Sequence, residues 1–182
     1  LWPYAIPYWT EAEALAEGEL KQIEIGRISI HIVKNKEKTY VICSASGHLY
    51  IISDPSRRRT SYPVFDTEWY PTHSVIKNRS RLQERLEIIQ DLANKAKKFI
   101  NACDLDIEGE TIGYNILRYA CGGVEKKSAR AKFSTLTRDE LRLAFTNIRS
   151  ELYLNTAEAG RTRHVIDFIW GINLSRALSE AY

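Results

Sequence analysis

"ACDLDIEGETIGYNIL", residues 102–117, decides how this chain is read. Asp104, Asp106, Glu108 and Glu110 fall at every second position. The apolar stretch "KFINACD" (98–104) leads into them and is expected to be a buried strand. Beyond them Ile112, Ile116, Leu117 and Ala120 recur at helical spacing until Gly122-Gly123, a helix stop. The chain therefore turns from strand to helix through a run of acid. In extended backbone, alternate residues face the same way. Asp104, Asp106 and Glu108 are thus expected on one side, at the carboxyl end of the sheet, where open α/β folds hold ligands. Crowded carboxylates repel, and a divalent cation relieves them. An oxygen-only set suits Mg²⁺, an ion that commonly serves phosphate chemistry. The plain alternative is a solvated acidic loop favouring the N-terminus of the following helix. A calcium loop of the helix–loop–helix kind is excluded, because Gly109 stands at the wrong position and no distal Glu fits.

On the N-terminal side, Leu82, Leu86, Ile89, Leu92, Ala93 and Ala96 define one face of a helix over 80–98, with Ser80 and Gln83 as its capping box. "TYVICSAS" (39–46) is a strand candidate that runs into Gly47-His48-Leu49. Ile23, Ile25, Ile28, Ile30 and Ile32 suggest strands with Gly26 between them, and "KNKEK" (34–38) is a polar turn. "TEAEALAE" (10–17) reads as a short helix stopped by Gly18. Residues 52–79 read as a long irregular stretch holding Pro55, Pro63 and Pro71. Its basic run Arg57-Arg58-Arg59 is read as a solvated loop, with phosphate contact as the alternative.

On the C-terminal side, "ARAKFSTL" (129–136) is a further strand. Thr137 and Glu140 form a second expected capping box before an amphipathic helix carrying Leu141, Ala144, Phe145 and Ile148. A last helix is expected over 157–180. Along it Arg163, Asp167 and Trp170 lie on successive turns, which allows an Arg–Asp ion pair. Strands alternating with helices imply an α/β domain with a mainly parallel sheet flanked by helices. The expected division is residues 1–150 as that domain and 151–182 as a C-terminal helical segment.

Composition narrows the class. The 182 residues are 44% hydrophobic and 27% charged, an ordinary globular balance. No stretch is apolar and long enough to span a bilayer, and no basic-then-apolar leader is visible. The net charge of +3 permits nucleic-acid binding without arguing for it. Cys43, Cys103 and Cys121 have no CxxC spacing, so they are read as free thiols of a reducing cytoplasm and not as zinc ligands. The chain has no methionine and starts at Leu1, which reads as a piece of something longer.

The ordered set of motifs resembles the type IA DNA topoisomerases, of the archaeal and topoisomerase III-like kind. "DLDIEGE" resembles the acidic element of their TOPRIM fold, and "SGHL" their Gly-His motif. "YPVFDTEWYP" resembles their Trp-Pro-type loop, and "FSTLT" the strand after the acidic helix. "AGRTRHVIDFIWGINLSRAL" resembles the start of the gate domain that holds single-stranded DNA. The match runs from about Ile30 to Leu178.

The resemblance implies a TOPRIM-type Rossmann-like domain over 1–150 and the truncated start of the DNA gate over 151–182. It implies an isomerase that cuts and reseals one DNA strand through a tyrosine, as a monomer in the cytoplasm. Asp104, Asp106 and Glu108 would hold Mg²⁺. Arg163 would contact the phosphate near the cleavage site, with His48, Lys132 and Arg176 in the same groove. Glu110 is expected to cap the helix.

The chain departs from the family in two places. Its Glu-Lys-Pro-like first-strand element falls here on Pro7 and Tyr8, with no carboxylate. Its Tyr-Pro-Arg-Thr-like nucleophile motif is absent: Ser61-Tyr62-Pro63 is followed by Val64-Phe65. The isolated chain is therefore expected not to relax supercoiled DNA. Three other readings are the topoisomerase half of a reverse gyrase, another TOPRIM protein such as a primase or a nuclease, against which the gate-like segment from Arg163 to Arg176 argues, and a TOPRIM nucleic-acid-binding module that has lost its chemistry.

Overall fold

The computed structural model describes residues 20–35, 38–56 and 62–181. The expected helix over 10–17, the departure at Pro7 and Tyr8, and the Arg57–Arg59 run lie outside the described residues. The isoleucine-rich segment forms β1 (Leu20–Ile25) and β2 (Ile28–Asn35), which pair antiparallel with Ile25 opposite Ile28. The turn between them holds Gly26 at φ +58°, the left-handed conformation that tight hairpin turns ask of glycine. β3 (Lys38–Cys43) adds antiparallel to β2. β2 is packed on both faces: Ile28 and Ile30 meet Ile88 on one, and Val33 meets Tyr40, Ile42 and Phe145 on the other, while Ile25 and Val41 stay exposed.

β4 (Tyr50–Ser53) pairs antiparallel with β5 (Glu68–Pro71), and α1 (Thr72–Val75) follows at once. Residues 52–79 are thus not wholly irregular. Their elements are only four residues long, too short for a periodic signal. α2 (Ser80–Ala93) packs Leu86 and Ile89 against Leu49 and Tyr50, and Ile88 against Ile28 and Ile30.

The decisive stretch then appears as β6 (Ile100–Asn101), a loop, and α3 (Ile107–Asn115), which runs on as a π-helical turn over Ile116–Ala120. Gly122 and Gly123, at φ +80° and +77°, end it as expected. β7 (Ala129–Arg130) lies parallel to β6, with Ile100 opposite Ala129. α4 (Arg138–Thr146) buries Leu141 and Ala144 on Ala131 and Phe133, and α5 (Leu154–Ala181) closes the chain.

The α/β character is as expected, and the parallel pairing sits where the acidic motif requires it. The longer ladders, β1–β3 and β4–β5, are antiparallel. The hairpin connections within β1–β3 are too short for the crossover that parallel strands need. Among the described residues, no helix is long and apolar enough to cross a membrane.

Neither capping box forms. Arg79, not Ser80, is the N-cap of α2, and Gln83 Nε2 donates to Glu87 one turn on. Thr137 does occupy the N-cap of α4. Glu140, however, accepts from the backbone N–H groups of Ser134 and Thr135 and from the Thr135 hydroxyl.

Candidate functional site

The acidic loop is shaped by what surrounds it. Asp106 is the N-cap of α3, its Oδ1 accepting from Gly109 N at 2.6 Å. A side chain at position 109 would run into the backbone carbonyl of Asp104, so glycine is what lets the loop fold onto the helix start. Glu110 is not a cap. It is buried and receives Arg130 Nε at 2.6 Å. The other guanidinium nitrogens of Arg130 donate to the carbonyls of Asn101 (3.1 Å), Ala131 (2.7 Å) and Asp104 (2.8 Å). One buried arginine on β7 thereby ties β6, the acidic loop and α3 together. A carboxylate already held by a buried guanidinium has no reason to turn toward helix N–H groups, which is why the expected role of Glu110 fails.

Glu108, in the first turn of α3, faces out from this clamp. Its Oε2 meets His48 Nε2 at 2.9 Å and His164 Nε2 at 3.0 Å. Its Oε1 lies 3.4 Å from Arg163 Nη1. His48 is carried by the turn after β3, where Ser46 (φ 56°) and Gly47 (φ 94°) are both left-handed. Thr72, at the start of α1, donates its hydroxyl to His48 O and its N–H to Leu49 O, each at 2.9 Å, and so anchors that turn.

His164 and Arg163 come from α5. The two imidazoles stand edge-on with centroids 4.9 Å apart, and Trp69 on β5 packs edge-on to His164 at 5.9 Å. Arg161, one helical turn before His164, places its guanidinium over Tyr114 (4.9 Å) and Trp69 (5.5 Å) and donates to Tyr119 Oη at 3.0 Å. Gly160 lets α5 approach α3, since a Cβ there would fall on Thr111 Oγ1 and Ile107.

The electrostatics follow from this packing. Burial alone would raise the Glu108 pKa. The hydrogen bond and charge of His164, and then those of His48, outweigh it and hold the carboxyl below its ordinary value. Burial pushes the His48 pKa down and His164 adds to that, against the pull of Glu108, so the net shift is downward. Facing a carboxylate, which only accepts, His48 Nε2 is the donor of that hydrogen bond.

The structure thus brings together Glu108, His48 and Arg163 of the residues expected from sequence. Asp104 and Asp106 stand exposed on the loop beside them, outside the His48–Glu108–His164 group. The expectation of three carboxylates along one extended strand gives way here. β6 ends at Asn101 and Glu108 is already helical. Arg163 also reaches Asp167 Oδ2 at 3.6 Å, the expected ion pair. Lys132 is exposed just past β7, and Arg176 Nη1 lies 3.5 Å from Asp54 Oδ2.

Sequence reasoning missed His164 as a site residue, although it adjoins Arg163 and shares the half-buried face of α5. It also missed Arg130, which reads as the polar position of an alternating strand. Cys43, Cys103 and Cys121 are half-buried and form no disulfide with one another, and burial raises the Cys121 pKa to about 11.

A family model described as Toprim domain matches residues 12–136. The chain is 38% identical over 170 residues to a protein named DNA topoisomerase 1 from Pyrococcus horikoshii, covering 93% of this chain and 25% of that protein. It is 39% identical over 157 residues to a DNA topoisomerase 1 from Methanothermobacter thermautotrophicus, covering 86% and 21%. A DNA topoisomerase 1 from Methanocaldococcus jannaschii is 37% identical over 169 residues, covering 92% and 22%. The chain therefore spans about a quarter or less of these curated relatives. The Toprim match includes His48, the acidic loop and Arg130, and stops before Arg163 and His164, which α5 supplies.

Proposed function

The chain belongs to the Toprim domain family, and from that premise we propose that it forms the metal-binding part of a type IA DNA topoisomerase. The complete protein would cut and reseal one DNA strand by transesterification, as a cytoplasmic monomer. Residues 1–150 would be the Toprim unit and 151–182 the start of the DNA gate. The attacking tyrosine would come from outside these 182 residues, since none of the ten tyrosines has the neighbours the family's motif calls for.

One observation carries this reading. Segments far apart in sequence deliver Glu108, His48, His164 and Arg163 to one spot beside an exposed acidic loop.

The donor chemistry of that loop fits Mg²⁺. Asp104 is exposed, and the cap of Asp106 engages only Oδ1, leaving Oδ2 for a ligand. Oxygen-only donors on a site open to water are what Mg²⁺ accepts. Asp104, Asp106 and Glu108 would hold the ion. When bound, it would neutralise phosphate charge and keep the broken 3′ end near its partner.

The chain's own residues have separable tasks. Arg130 fixes the backbone of the loop through the Asp104 and Asn101 carbonyls. His48 and His164 orient the Glu108 carboxylate. Arg163, with most of its side chain in solvent, is placed to offer its fork to a phosphate. Lys132 would meet phosphate at the edge of β7, and Arg176 would do so on leaving Asp54.

Fluorescence anisotropy on a labelled single-stranded oligonucleotide, over a salt series, tests the DNA part. Arg163→Ala should weaken binding across all sequences and reduce the slope of log affinity against log salt by about one. An unchanged affinity and slope would remove Arg163 from the interface.

A further inference from the structure

We propose that His48, Glu108 and His164 form a second cation position, selective for Zn²⁺-class transition metals over Mg²⁺. The ligand atoms would be His48 Nε2, one Glu108 carboxylate oxygen and His164 Nε2. All lie within 4.8 Å of one another, and each is at least partly shielded. Around a tetrahedral Zn²⁺ bonded at about 2.0–2.1 Å, donors stand roughly 3.3 Å apart. The two nitrogens here are 2.9 and 3.0 Å from Glu108 Oε2, so a small outward movement would admit an ion.

The donor set chooses the metal. Two imidazole nitrogens and one carboxylate make the His₂Glu pattern of open zinc sites and the facial triad of iron sites. Mg²⁺ prefers oxygen and water and gains little from imidazole. In the metal-free arrangement, Glu108 Oε2 accepts from both rings. Metal binding replaces those two hydrogen bonds. A ring bound through Nε2 carries its remaining proton on Nδ1.

The three ligands come from the turn after β3, the first turn of α3 and the middle of α5. A bound ion would therefore pin α5 to the Toprim unit. Arg163, 3.4 Å from the other Glu108 oxygen, favours an anion such as a phosphate oxygen as the fourth ligand. The inference needs neither DNA nor the topoisomerase reading, so the two can fail separately.

Co²⁺ titration of the 182-residue chain, free of DNA, tests it by visible absorption. The expected result is a saturable spectrum of four- or five-coordinate Co²⁺ that excess Mg²⁺ leaves in place, with Zn²⁺ displacing it. His48→Gln and His164→Gln should each weaken Co²⁺ binding by at least about tenfold, the lower bound seen even for loss of an outer partner. Asp104→Asn should keep it. Circular dichroism checks that each histidine variant folds. Should one fail to fold, the other carries the test together with the Zn²⁺-induced rise in the wild-type melting temperature. Absence of a saturable Co²⁺ spectrum, or equal binding by the folded histidine variants, would overturn the proposal.

Discussion

Glu108 and Glu110 are two residues apart on the same helix, and both face cations. Their settings are opposite. The Glu110 side chain is 1% exposed and its partner Arg130 0%, whereas that of Glu108 is 39% exposed and shares two histidines and an arginine. The difference teaches how this fold separates scaffold from site. The buried pair is closed to solvent, and its guanidinium also donates to three backbone carbonyls. The outer carboxylate is held by groups that can be exchanged for a metal or a phosphate.

The comparison breaks most sharply at Arg130. Arg130→Ala leaves Glu110 buried without its cation and should cost about 3–5 kcal/mol, read as a lower midpoint in urea. Replacing both partners with apolar residues, Arg130→Met with Glu110→Leu, should recover only part of that. The carbonyls of Ala131 and Asp104 would still lack the Arg130 donor, and that of Asn101 would keep only the Ala131 N–H. A wild-type midpoint for the single variant would mean that the clamp does not hold the loop.

Next in size is the joint between α3 and α5. Gly160→Ala drives a methyl into Thr111 and Ile107, an overpacking of about 1–3 kcal/mol. Thermal melting should show the loss, and adding Thr111→Ala should return some of it. An unaffected melting temperature would contradict the close approach of the two helices.

Glu108→Gln should change stability by less than about 1 kcal/mol, as for other partly exposed ion pairs. Glu110→Gln should cost clearly more in the same assay. Equal losses would erase the distinction drawn here.

The smallest effect is in the pH dependence without added metal. Glu108 titrates below its ordinary 4.5 in the folded state, so its contribution is present above that value and disappears as pH falls through the folded pKa. His48 titrates below its ordinary 6.5, so the unfolded chain takes up that proton first and stability declines as pH drops below 6.5. Melting curves at stepped pH should show this decline, and His48→Gln should flatten its upper part. A profile that rises on acidification from 6.5 would reverse the sign of the His48 shift.

The sequence made the strand–loop–helix around Asp104 legible because an apolar run and a terminal glycine pair bracket it, although the acid that caps the helix is Asp106 and not the expected Glu110. It also made the Arg163–Asp167 pair legible, since helical spacing alone sets it. Other features depend on long-range contacts that no local pattern carries. Glu110 looks like its neighbours until Arg130 arrives from β7, twenty residues on. Gln83 and Glu140 have the right spacing for caps but find other partners. β5 and α1 escape because four residues give no period. His164 becomes a site residue only because Gly160 lets α5 lie close enough to face Glu108.

The central claim is that the exposed acidic loop is a working metal site. A calorimetric titration with Mg²⁺, run with and without a short single-stranded DNA, tests it against the double variant Asp104→Asn with Asp106→Asn. The account predicts Mg²⁺ binding by the wild type, alone or in its DNA complex, and loss of that binding in the double variant. Identical titrations for the two proteins would contradict it and leave the carboxylates as structure alone.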